Sequence, residues 1–218
     1  MNYLSHYYIS KQKNPYYNAG LILPDLMRGF VKHFKVTEKN FLFPEHKLLF
    51  DGCQQHYHDD KIFHQSWFFN YGNSVFTELV KQINFEGNIN RKWFLGHVFF
   101  ELYVDRFLVL HLPKLVNKFY NDLLAVDVEI LKSFLTCFNC IDVEASTKIF
   151  LNFSKVQYIK NYPDNNLFIY SLSRIMMRAK AGNFTLSDNL FLYDTLHKID
   201  NLILKDKLRL LYLLHQTF

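Results

Sequence analysis

Apolar residues recur at helical spacing along almost the whole chain, and few helix breakers interrupt them. Only 7 glycines and 5 prolines punctuate 218 residues, while Leu, Phe and Lys are frequent. Scarce breakers among strong helix formers favour helices over a turn-rich β fold. Residues 2–10 read as a short helix carrying His6. Asn14-Pro15 is a good helix start, with proline at the first helical position. That helix runs to about Gly29, and Pro24 kinks or restarts it just before Asp25. Pro44 opens a third helix, from Glu45 to about Trp67. Gly72 and Asn73 mark a turn, followed by a helix from Ser74 to Asn84 that ends near Gly87. Asn90 to Leu112 form a long helix stopped by Pro113. Val128 to Cys140, Val143 to Tyr162, Asn165 to Ala181 and Leu186 to about Leu214 show the same spacing. Asp142 suits an N-cap, Gly182 a C-cap, and Ser187-Asp188 start or extend the last helix. The expectation is all-α: a single compact multi-helix domain spanning 1–218, with about eight to ten helices.

Half of the residues are apolar, enough for a substantial core. No run of about 18 apolar residues occurs, so no transmembrane helix is expected. Met1 is followed by structured-looking sequence rather than by a basic and then apolar leader, so the expected compartment is the cytoplasm. The formal net charge of +5 is modest. It points weakly to an acidic partner, and neither nucleic acid nor a membrane is expected as one. Three cysteines make no disulfide framework. Cys137 and Cys140 form a lone CxxC, with no second pair for a zinc knuckle and no βαβ context for a redox motif. They read as two buried thiols near a helix end.

The chemistry concentrates in the first half. His6, Asp25, His56, Asp60, His97 and Glu101 are metal-type ligands spread over separate helical segments. His56, Asp60 and His64 are spaced i, i+4, i+8, as are His97, Glu101 and Asp105, so each set forms a slowly drifting stripe on one helix face. Helical folds build metal sites from such side chains on facing helices. The run around His97 is strongly apolar, from Trp93-Phe94-Leu95 to Phe107-Leu108. Acid and imidazole inside it need partners, because an unpaired buried charge is costly. A metal would supply them, and so would a mutual hydrogen-bonded cluster. Spacing alone also fits structural or surface histidines and a solvated stripe at Glu101, Asp105 and Arg106. Asp25 after Pro24 suits either an inward-pointing acid at a helix break or an N-cap. His33, His46, His111, His197 and His215 have no comparable company.

Several blocks resemble a known family. Met1-Asn2-Tyr3-Leu4-Ser5-His6 and Ala19-Gly20-Leu21-Ile22-Leu23-Pro24-Asp25-Leu26-Met27-Arg28-Gly29 are similar to the opening of bacterial acyl carrier protein phosphodiesterases. That family begins with an MNFLAHL-like segment and a GN-LL-DF-RG-like segment. Its third block, roughly G-I-x-x-H-R-x-I-D, is matched at Gly52, His56 and Asp60. Its fourth, roughly D-x-x-x-D-H-F-L, falls on His97 to Val104. The resemblance covers about the first half of the chain. It implies an HD-phosphohydrolase-like helical fold and a divalent metal, Mn, Zn, Fe or Mg. The implied reaction removes 4′-phosphopantetheine from holo acyl carrier protein, which makes that protein the implied partner. His6, Asp25, His56, His97 and Glu101 would form the metal shell, with Asp60 bound to the metal or beside it. His64 or His58 would protonate the leaving serine oxygen, and Asp25 and Asp60 would serve the chemistry. Arg28, Lys32 and Lys35 would form a basic rim for an acidic carrier or bind phosphate. The chain departs from the pattern at Tyr57 (Arg in the family), at His97 (an acid), at Glu101-Leu102 (Asp-His) and at Phe63-His64 (often Thr-Asp). More histidine and less carboxylate favour a transition metal over Mg²⁺. The alternatives are a non-catalytic helical binding module on the same scaffold and a metal-dependent hydrolase of another phosphoester.

Overall fold

The computed structural model describes residues 1–34, 41–203 and 214–218, without the side chains of 202 and 203. The described residues are helical, with no strand and one isolated backbone bridge between Arg28 and Val31. The helices are α1 (Tyr3–Ser10), α2 (Pro15–Gly20), α3 (Leu23–Leu26), α4 (Pro44–Gln65), α5 (Trp67–Lys81), α6 (Lys92–His111), α7 (Pro113–Leu124), α8 (Val128–Cys137), α9 (Val143–Val156), α10 (Asn165–Arg178) and α11 (Leu186–Ile203). A short 3-10 turn covers Tyr158–Asn161. Among the described residues no helix is long and apolar enough to cross a membrane. The fold divides into two compact units: Met1–Lys61 with His111–Lys160, and Ile62–Leu110 with Asn161–Phe218. The division falls inside α4, after Lys61.

In the first unit, α1 and α2 rest on α7. Val116, Phe119, Tyr120 and Leu123 bury one stripe of α7 at i, i+3, i+4, i+7. Phe119 meets the ring of Tyr7 edge-on at 5.2 Å. Asp122 then fastens both neighbours, because its Oδ2 accepts from the Tyr7 hydroxyl and from Asn18 Nδ2, each at 2.7 Å. α2 also lies against α4, where Gly20 faces Gly52. A methyl on Gly20 would sit 2.2 Å from the Leu49 carbonyl oxygen, and one on Gly52 2.2 Å from that of Tyr17. Only glycine lets the two backbones approach so closely.

In the second unit, α6 is buried around its circumference from Leu95 to Val109, except at His97 and Glu101. A helix apolar all round belongs in a core. Its two buried polar residues at positions 105 and 106 include Arg106, whose guanidinium donates to Asp200 Oδ2 at 2.8 Å, Asn165 Oδ1 at 2.7 Å and the carbonyls of Tyr162 and Pro163. The Tyr103 hydroxyl donates to the same Asp200 carboxylate at 2.9 Å. Thr185 and Asp188 cap α11 reciprocally: Thr185 N–H donates to Asp188 Oδ2 at 2.8 Å, and Asp188 N–H donates to Thr185 Oγ1 at 3.2 Å.

The structure corrects several boundaries. The second expected helix breaks at Leu21-Ile22, and Pro24 sits in the first turn of α3, where a missing N–H costs nothing. Gly72 and Asn73 lie inside α5 rather than in a turn, and Gly72 is glycine where the Phe100 ring occupies the space in which a side chain would begin. Pro113 stops α6 but also starts α7, a helix absent from the expected set. α9 ends at Val156, where Gln157 turns left-handed at φ 54°. α8 ends at Cys137, and Cys137 and Cys140 are half-buried rather than buried. The Cys137 thiol lies 3.3 Å from the Ser133 carbonyl oxygen, and that of Cys140 lies 3.1 Å from Ser146 Oγ. The end expected for α11 lies outside the described residues.

Candidate metal centre

Two groups of metal-type ligands form, one within each unit. In the first, His6, Asp25 and His56 each offer an atom within 4.8 Å of the others. α1 carries His6, fully buried, one residue before the Tyr7 anchor. α3 carries Asp25, whose side chain is 37% exposed beside the restarted turn. α4 carries His56, also buried. The His6 and His56 rings stack at 3.9 Å. His56 Nε2 lies 4.0 Å from Asp25 Oδ1.

The orientation of His56 follows from the glycine seam. Its Nδ1 lies 2.8 Å from the Leu21 carbonyl oxygen. A carbonyl accepts, so Nδ1 donates there, and Nε2 is the ring nitrogen left on the side of Asp25. Leu21 directly follows Gly20, whose close approach to Gly52 brings that carbonyl to α4. Asp59 adds a second tie. It accepts from Ser10 Oγ at 2.6 Å and from Gln55 Nε2 at 2.7 Å, linking the end of α1 to α4. Burial pushes its carboxyl up, against those hydrogen bonds and the nearby imidazoles.

Asp60 lies next to this group. Its Oδ1 is 3.9 Å from His6 Nε2 and 2.6 Å from the Met1 nitrogen. His58, two positions from His56, turns about 200° away around α4 and is exposed. Arg28 and Lys32 are exposed. Lys35 lies outside the described residues.

The second group is His64, His97 and Glu101. His64 Nε2 is 3.1 Å from Glu101 Oε1, His97 Nε2 is 3.2 Å from the same oxygen, and the two Nε2 atoms are 3.4 Å apart. His97 and Glu101 are one turn apart on α6. His64 comes from the last turn of α4, just before the corner at Ser66. There Ser66 Oγ accepts from Phe69 N–H at 3.0 Å and caps α5. The cap sets the Phe69 ring edge-on to His64 at 4.5 Å and to His97 at 5.1 Å. Burial pushes the Glu101 carboxyl up, but the imidazoles of His64 and His97 help hold it well below the usual carboxylate range. Asp105, next in the α6 stripe, is fully buried and belongs to neither group.

The six ligand types singled out in the sequence therefore divide between the units. His6, Asp25 and His56 meet, with Asp60 adjacent, and His97 and Glu101 meet His64. Sequence reasoning placed His64 as a proton donor rather than as a third ligand. The available signal was its i+8 position on the His56 stripe. The Leu21 carbonyl and the Asp59 tie left no such signal. Imidazole with carboxylate is a donor set suited to a divalent transition metal, so both groups fit such an ion by chemistry. No family model, no curated protein and no solved structure matches this chain.

Proposed function

We propose that this chain is a metal-dependent phosphodiesterase resembling acyl carrier protein phosphodiesterase. Its reaction would release 4′-phosphopantetheine from holo acyl carrier protein. The convergence of His6, Asp25 and His56 carries this reading. Those residues lie in the first three of the four blocks on which the resemblance rests, and α1, α3 and α4 bring them together from positions up to 50 apart in sequence. An HD-phosphohydrolase-like arrangement is part of the same proposal.

A divalent ion bound there would polarise the phosphoryl oxygens and lower the pKa of a water nucleophile. His56 is held in the tautomer that can ligate. Asp25, half-exposed, is the member of the group that a phosphodiester entering from solvent would reach first. Asp60, 3.9 Å from His6 Nε2, adds a carboxylate at the edge of the group. Arg28 and Lys32 are exposed cations following Asp25 in the chain, and an acidic carrier would dock against them in a salt-dependent manner.

The test incubates purified protein with holo carrier protein and Mn²⁺ and weighs the carrier by mass spectrometry. Loss of the phosphopantetheine mass is the expected result. Asp25→Ala should abolish it and leave carrier binding largely intact, whereas Arg28→Glu with Lys32→Glu should weaken binding. An unchanged carrier mass from protein shown to hold metal rejects this substrate. Turnover of a simple phosphodiester by the same preparation would then favour another phosphoester, and inactivity toward both would favour a binding module.

A further inference from the structure

We propose that the solvent faces of α10 and α11 form a dimer interface, occupied by a second copy of this chain related by a two-fold axis. The proposal goes beyond the phosphodiesterase reading and does not depend on it. Every residue it uses lies in the second unit.

The first observation is a second apolar stripe on each helix. α10 buries Phe168, Ile169, Leu172 and Met176, and the Phe168 ring lies 5.9 Å from that of Phe99 on α6. α11 buries Leu192, Leu196 and Ile199, and its Asp200 accepts from Tyr103 and Arg106 of α6. These stripes seat both helices on α6. At about 100° per residue, Leu167, Tyr170, Arg174 and Met177 fall on the opposite side of α10. Leu186, Leu190, Tyr193 and His197 fall likewise on α11. All eight are exposed. They recur in steps of three, four, three and of four, three, four, the spacing by which one helix packs along another. The core stripe explains one apolar face of each helix, and this second face is left to solvent.

The second observation is size. Leu186, Leu190 and Tyr170 are 85%, 69% and 61% exposed, and Leu167, Met177 and Tyr193 are each 41–44% exposed. Together the six leave on the order of 600 Å² of accessible surface on two neighbouring helices, at the upper end for a monomer's largest apolar patch. A specific interface buries about 800 Å² on each partner. With Arg174, Arg178, Asp194 and His197 beside the apolar residues, this face reaches that size.

The third is charge and symmetry. Arg106 donates to Asn165 at the start of α10 and to Asp200 near the end of α11, so the two helices run antiparallel. A two-fold axis parallel to them lays α10 of one copy over α11 of its partner. Counted from the connecting turn, Arg174 and the partner's Asp194 then stand within about one helical turn of each other, and the pair occurs twice. Among the described residues neither Arg174 nor Asp194 has an ion pair within its own chain. Opposite charges within an apolar seam fix its register. An anionic lipid surface would instead oppose Asp194.

The test measures the mass of the full chain by light scattering after size exclusion, over a concentration series. Wild type should move from 26.2 kDa toward twice that mass as concentration rises. Tyr170→Glu with Leu190→Glu should stay at the monomer mass and keep the circular dichroism of wild type, since both side chains are exposed. Arg174→Asp should raise the dimer dissociation constant about tenfold by setting acid against acid twice, and adding Asp194→Arg should restore it. This charge swap decides the matter if the glutamate variant does not fold. A wild type that stays monomeric up to its solubility limit would overturn the proposal. So would a dimer that survives Tyr170→Glu with Leu190→Glu, or a charge swap that restores nothing. Pelleting of monomeric wild type with phosphatidylglycerol vesicles, lost in the glutamate variant, would assign the face to a lipid surface instead.

Discussion

Asp188 shows how much one buried carboxylate can organise. It is fully buried, and besides capping α11 it accepts from the backbone N–H of Glu86 at 2.8 Å and of Gly87 at 2.9 Å. It therefore fastens the segment between α5 and α6 to the start of α11. Burial pushes its carboxyl up, but the backbone donors of Thr185, Glu86 and Gly87 outweigh burial and leave it below its ordinary value. A carboxyl depressed in the folded state stabilises fully above the unfolded value, about 3.9, and loses that contribution as pH falls through the folded value. Asp188→Asn should cost about 1–3 kcal/mol at pH 7, since an amide cannot accept from all three N–H groups as strongly. Urea unfolding at pH 7 and at pH 3 would check this. The gap between wild type and variant should narrow in acid, and a pH-independent gap would assign the effect to packing instead.

At the scale of elements, the seam between α2 and α4 links packing to chemistry. Gly52→Ala would place a methyl 2.2 Å from the Tyr17 carbonyl oxygen and 2.8 Å from the Gly20 Cα. Backbone cannot give way as a flexible side chain can, so the helices must separate, at about 1–3 kcal/mol. Separation moves the Leu21 carbonyl away from His56 Nδ1. The variant should melt earlier and bind Mn²⁺ at the His6 group about 10–100-fold more weakly, as expected when a ligand loses its orienting partner. Parallel thermal melts and metal titrations would measure both effects. Reduced stability with unchanged metal affinity would mean that the Leu21 carbonyl does not set the tautomer.

For the whole molecule, a divalent ion held by either ligand group would couple metal binding to folding. An ion that binds only the folded chain stabilises it by about 2.7 kcal/mol at a hundred times its dissociation constant. Saturating Zn²⁺ should therefore raise the melting temperature, and chelator should reverse the rise. The His56→Ala, His97→Ala double variant should show no shift. A shift that persists in the double variant would locate the stabilising ion on other side chains, such as the exposed histidines.

Helix formation itself was legible in the sequence, because it depends on local spacing and on the scarcity of breakers. The starts at Pro15 and Pro44 and the cap at Asp142 were readable for the same reason. α7 was readable in principle: its Val116, Phe119, Tyr120, Leu123 stripe is regular, but Pro113 was weighed as a stop and not also as a start. Gly72 could not be placed, since its reason for being glycine is the Phe100 ring, distant in sequence. The same limit applies to the site. Residue type singled out His6, Asp25, His56, Asp60, His97 and Glu101 as ligand types, and i, i+4 spacing paired His56 with Asp60 and His97 with Glu101, because one helix face is a local property. Which of them meet was decided by tertiary contacts: Gly20 against Gly52, Asp122 beneath α1 and α2, and the Ser66 corner that turns Phe69 onto His64. Those contacts join residues far apart in the chain, and the division into His6–Asp25–His56 and His64–His97–Glu101 exists only once they form.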